Sequence, residues 1–96
     1  MARGRTPEGR AYFREYHKKR REWVTQLKTN SPCMDCGVAF HPAAMQFDHR
    51  PGEQKRFNVG NCTHHPRVVV EAEIAKCDLV CANCHAVRTF ERRRPA

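Results

Sequence analysis

Two Cys-x-x-Cys pairs, Cys33–Cys36 and Cys81–Cys84, enclose 44 residues that contain an Asp48-His49 dipeptide, and His85 directly follows the last cysteine. Zinc in a structural site takes four soft ligands in a tetrahedron, and two such pairs supply two thiolates each from tight turns. The separation exceeds the 15 to 20 residues usual between four-cysteine pairs, but closure entropy grows only with the logarithm of loop length. The metal would therefore join the two ends of an inserted unit, the one that carries Asp48 and His49. Fixing Cys84 also brings His85 into that neighbourhood. Asp48 and His85 can then hold one divalent cation with open positions for water and phosphate, while the His49 imidazole accepts a proton from water. That is the chemistry of a phosphodiesterase.

The elements that position these residues follow from periodicity. Residues 1 to 9 read as a basic arm, with Thr6-Pro7-Glu8 able to cap and open a helix. From Arg10 to about Lys28 neither proline nor glycine intervenes, and Phe13, Tyr16, Trp23, Val24 and Leu27 recur at helical spacing among charged residues. An amphipathic helix packed through its aromatic stripe is predicted there, ended by Asn30-Ser31-Pro32. Met45 to His49 alternates as a short strand, turn chemistry follows at residues 50 to 54, and Arg56 to Val59 reads as the returning strand of a hairpin. Residues 60 to 66 read as a loop. Val70, Ile74 and Cys77 then recur at helical spacing, although the Val68-Val69-Val70 run also suits a strand. A terminal helix is expected from about Ala82 to Arg94.

The order Cys-x-x-Cys, Asp-His, Cys-x-x-Cys-His resembles the HNH endonucleases of the His-Me finger class, in the zinc-bound form common among phage proteins and similar to phage Holliday-junction resolving endonucleases. The resemblance covers roughly residues 33 to 92. It implies a small α+β fold, a ββα-metal (His-Me finger) unit stapled by a four-cysteine zinc site, preceded by the N-terminal amphipathic helix. It further implies Asp48 as first metal ligand, His49 as general base, His85 as second metal ligand, and Cys33, Cys36, Cys81 and Cys84 as structural zinc ligands. The implied reaction is hydrolysis of DNA with Mg2+ or another divalent cation, leaving a 5′-phosphate and a 3′-hydroxyl. The middle asparagine of such motifs has no counterpart in position: the stretch before the second knuckle reads Ala75-Lys76-Cys77, and Asn58, Asn61 and Asn83 all lie elsewhere.

In a regular terminal helix His85, Arg88, Thr89 and Arg92 fall at i, i+3, i+4 and i+7, so a metal ligand and two guanidiniums share one face. Arg88 and Arg92 are expected to hold phosphates beside the scissile one, with Arg56 a third contact. Cys62, His64 and His65 offer three further donors, but with no fourth in register they read as a polar surface loop rather than a second metal site. Cys62 and Cys77 are expected to be ordinary or partly buried thiols rather than ligands, and His17 and His41 exposed polar residues, with His41 near enough the first knuckle to bond a zinc-bound sulfur.

Composition bounds the partners. The chain has 96 residues, too few to bury a large core unaided, so a structural metal is expected. The formal charge is +8, divided as +6 over residues 1 to 30, −1 over 31 to 84 and +3 over 85 to 96. Basic flanks around a near-neutral centre suit a phosphate polymer, double-stranded or branched DNA, gripped on both sides of a site. No stretch approaches the ~20 apolar residues of a membrane span, and no apolar leader opens the chain, so a reducing cytoplasm is expected, where six cysteines bind metal in preference to forming disulfides. Residues 1 to 30 are read as the basic arm and helix, and 31 to 96 as the zinc-bound nuclease domain. One active site per chain implies nicking by a monomer and double-strand cleavage by a homodimer, and a larger phage DNA-processing protein is a further possible partner. Two other readings remain: a zinc-ribbon module that grips nucleic acid without cutting it, and an adaptor that docks on a larger protein through the N-terminal helix.

Overall fold

The computed structural model describes residues 6 to 94. Helix α1 spans Pro7–Lys28, strand β1 Met45–His49, helix α2 Arg67–Ile74, strand β2 Cys77–Cys81 and helix α3 Ala82–Arg93. Short 3-10 turns cover Pro42–Ala44 and Val59–His64. The result is a small α+β fold with one two-stranded antiparallel sheet.

Helix α1 begins where Thr6 Oγ1 accepts the Gly9 N–H at 2.9 Å and Pro7 occupies the first turn, where its missing N–H leaves no bond unmade. Glu8 in the first turn and Lys28 in the last both favour the helix dipole. The chain leaves α1 through Asn30, whose φ of 56° is the left-handed conformation that asparagine tolerates. Residues 1 to 5 of the expected basic arm lie outside the described residues, and residues 7 to 9 belong to the helix.

Two small cores hold the molecule. In the first, Val24 of α1 meets Val59, Cys62 and Val70, with Trp23, Phe47, Phe57, Ile74 and Cys77 packed around them. Arg20, itself buried, fixes the helix to this core by donating to the Cys62 carbonyl at 3.0 Å and to the His65 carbonyl. The second core is Cys33, Met45, Val80 and Cys81, with Leu79 and Cys84. Such cores bury little apolar area, which is the situation in which a metal cross-link matters most.

The expected hairpin is corrected. Strand β1 lies where the alternation placed it, but its partner is β2, with Met45 opposite Cys81 and His49 opposite Cys77. Residues 56 to 59 form no strand, because the Arg56 N–H is taken by the Glu73 carboxylate at 2.9 Å and Val59 turns into the first core. The helical reading of Val70, Ile74 and Cys77 holds only as far as Ile74. Cys77 opens β2, which runs directly into the second knuckle and α3. Among the described residues no helix is long and apolar enough to cross a membrane.

Candidate metal centre and catalytic cleft

The first knuckle is a tight turn in which the Gly37 N–H bonds the Cys33 carbonyl at 2.9 Å and Gly37 adopts a φ of 76°. The second forms where β2 ends and α3 begins, with Cys81 as the N-cap residue. The Sγ atoms of Cys33, Cys36, Cys81 and Cys84 lie within 4.8 Å of one another. Zn–S bonds of 2.3 Å set tetrahedral S···S edges of about 3.8 Å, so the four cysteines could hold a metal such as zinc. The backbone is prepared for charge on sulfur. Burial works to raise the Cys33 thiol, yet N–H groups of Cys36, Cys81 and Asp35 aimed at its sulfur bring it down to about 6. Cys84 is pushed up to about 12, first by its contact with Cys81 and then by burial. Four sulfurs this close cannot all ionise unless a cation lies among them.

The pairing of β1 with β2 and the four-cysteine cluster set both strands and the first turn of α3 side by side. Asp48 lies near the end of β1 and His85 one turn into α3, and the His85 Nε2 is 3.3 Å from Asp48 Oδ1. The other ring nitrogen, Nδ1, bonds the Gln46 side-chain oxygen. With Gln46 accepting from Nδ1–H, Nε2 presents a lone pair towards a carboxylate oxygen, and two acceptors at this distance need a proton or a cation between them. Gln46 is two residues before Asp48 on the same strand face, a support that sequence alone did not single out.

Asp48 is buried and held by two guanidiniums. Arg92 grips it in bidentate fashion at 2.9 and 2.8 Å, and Arg88 donates to Oδ2 at 2.8 Å. Burial works to raise this carboxyl, and the bonds from Arg92 and Arg88 override it, holding it down at about 2. Arg88 also bonds Asp35 at 2.6 and 2.7 Å and Asp78 at 3.1 Å. The shared face of His85, Arg88 and Arg92 therefore meets Asp48, and both arginines are engaged by carboxylates. Arg56 lies exposed and contributes its backbone N–H to Glu73.

His49 ends β1 with Nε2 2.7 Å from Glu73 Oε2. Glu73 is 1% exposed and also receives Lys76 Nζ at 3.0 Å and the Arg56 N–H at 2.9 Å. Burial would raise its carboxyl, but the Arg56 N–H, Lys76 and His49 hold it down at about 2. Glu73 was missed in the sequence. Its one signal was position: it stands three residues after Val70 and four before Cys77, on the face of α2 that turns inward.

Asp48, His49, His85 and Arg92 line one open cleft of about 500 Å³, together with Gln46, Lys28, Lys55 and Asn58. The remaining candidates fall elsewhere. Cys62 is buried in the first core, His65 stacks on Phe57 at 3.8 Å, and His41 accepts the Ala43 N–H at 3.0 Å to cap a 3-10 turn. Burial, then the Glu73 charge, pushes the Cys77 thiol up to about 11. Among the described residues the four knuckle cysteines are the one group of three or more donors close enough to share a metal. No family model, curated protein or solved structure matches the chain.

Proposed function

We propose that the chain is a metal-dependent DNA endonuclease of the HNH type, hydrolysing phosphodiester bonds from the cleft between β1 and α3. The observation that carries this reading is the approach of Asp48 Oδ1 to His85 Nε2 at 3.3 Å, with His49 adjacent in the same cleft. Asp48 and His85 would hold one divalent cation, Mg2+ or a relative, which when bound polarises a phosphoryl oxygen and stabilises the departing 3′-oxygen. His49, with one nitrogen tied to Glu73, keeps the other to take a proton from the attacking water. The succession of β1, β2 and α3, with the staple at their junction, supports a ββα-metal unit.

Arg92 has a double part in this reading. Its bidentate hold neutralises Asp48, so a cation at Asp48 requires Arg92 to loosen, and a phosphate beside the cation offers it a new partner. Arg88, bound to three carboxylates, would move less. Nicking of supercoiled plasmid by zinc-loaded protein in Mg2+ or Mn2+ tests the proposal. Wild type should nick and His49→Ala should lose about 10²–10⁴-fold in rate, the range for a general base. A wild-type protein without activity in either metal would leave a zinc-stapled nucleic-acid-binding module as the better description.

A further inference from the structure

We propose that one stripe of α1, running through Arg10, Arg14, Arg21 and Lys28, is a phosphate rail that lays duplex DNA along the helix and delivers it to the cleft. At roughly 100° per residue these four positions fall within about 40° of arc, and Lys28 lies five full turns beyond Arg10, about 27 Å along the axis. Arg14 and Arg21 are exposed and, with Lys18 beside them, make no ion pair among the described residues. The acids of the helix are set apart. Glu8, Glu15 and Glu22 recur at intervals of seven on a second stripe, about 120° from the first. Arg20, Trp23 and Val24 occupy the third, which faces the core. Among the basic residues from 10 to 28, Lys19 alone lies on the acid side, four residues after Glu15 and three before Glu22.

The second observation is where the stripe ends. Val24 and Lys28 line the cleft that contains Asp48, His49 and His85, and Lys28 is fixed there, half-buried, with its ammonium 5.6 Å from the centre of the Phe47 ring. Lys55 carries positive charge on another part of the cleft wall, while the charge of Arg92 is met by Asp48. Each strand of a duplex presents a phosphate about every 3.4 Å of helix axis. The rail thus spans about eight nucleotides, and its last cation stands beside the residues proposed to cut. Delivery to a cutting site rests on the proposed endonuclease; the binding face stands on charge and geometry alone.

The test is fluorescence anisotropy of a duplex of roughly 30 base pairs with zinc-loaded full-length protein, titrated at several salt concentrations without added Mg2+. In the double variant Arg14→Gln/Arg21→Gln the slope of log affinity against log salt should fall by about 1.8, at about 0.9 per lost phosphate contact. Lys19→Gln removes one charge, against two in the double variant, from the opposite side of α1, about 160° from the rail, and should leave the slope within about 0.5 of wild type. Glutamine keeps the helix propensity, and circular dichroism checks it. An unchanged slope in the double variant, or a drop of about 0.9 for Lys19→Gln, the same loss per charge, overturns the rail. If wild type nicks plasmid while the double variant binds normally, the rail alone falls. If the slopes behave as expected but wild type never cuts, the rail stands and the endonuclease falls. No DNA binding by wild type overturns both.

Discussion

Glu73 is the side chain on which the candidate site depends most outside the cleft itself. It holds the His49 ring, the Lys76 ammonium and the Arg56 N–H from an interior position. Glu73→Ala leaves those donors without their acceptor and should destabilise the protein by about 1–3 kcal/mol in urea unfolding. Its carboxyl sits at about 2 in the folded chain against an ordinary 4.5, so it adds stability above pH 4.5 that is lost as pH falls from there towards 2. The stability difference between wild type and Glu73→Gln should therefore narrow from about pH 5 downward; both proteins carry the same four cysteines, so metal loss cancels in the comparison. A difference that stays constant or widens contradicts an ionised Glu73. The four cysteines, Asp48, His49 and His85 were legible as chemistry because their types and order are distinctive. Glu73 and Gln46 were not, since a glutamate in a Glu71-Ala72-Glu73 run and a glutamine in a strand look like surface residues until the fold turns them inward.

Among the elements, the helices were readable and the sheet was half readable. Helix α1 carries its own cap and stop, but of the stripe expected to pack only Trp23 and Val24 reach the core while Phe13, Tyr16 and Leu27 are exposed; α3 follows from the knuckle that nucleates it. Strand β1 showed its alternation, but pairing is a property of two segments, and the nearer apolar run at residues 56 to 59 competed with the true partner 28 residues past β1. What decides between them is Glu73 capturing the Arg56 N–H together with the Cys81 N–H bonding the Cys33 sulfur, neither of which is local in sequence. Attachment of α1 is likewise tertiary. Arg20→Met retains the hydrocarbon stem and removes the bonds to the Cys62 and His65 carbonyls, and should cost about 2–3 kcal/mol. If α1 were held by Trp23 and Val24 alone, the change would be near neutral.

At the scale of the whole molecule, the two cores are small and the metal is expected to complete them. Cys33 and Cys81 belong to the second core as well as to the knuckles, so a metal held by the four cysteines would tie β1, β2 and the start of α3 together. Structural zinc contributes about 10–16 kcal/mol in zinc-finger peptides at neutral pH. Chelation should therefore abolish cooperative thermal unfolding, and Cys81→Ser should do the same without chelator. Retention of a full transition after zinc removal would show that the apolar cores suffice. The stapled frame is what brings one carboxylate and two imidazoles into a common cleft, and the claim built on it is hydrolysis of a phosphodiester by activated water. Cleavage of a synthetic DNA duplex in ¹⁸O-labelled water, read by mass spectrometry of the new ends, tests that claim most directly. The account predicts label on a 5′-phosphate, an unlabelled 3′-hydroxyl and loss of both products in His49→Ala; 3′-phosphate ends, or cleavage unaffected by His49→Ala, would contradict it.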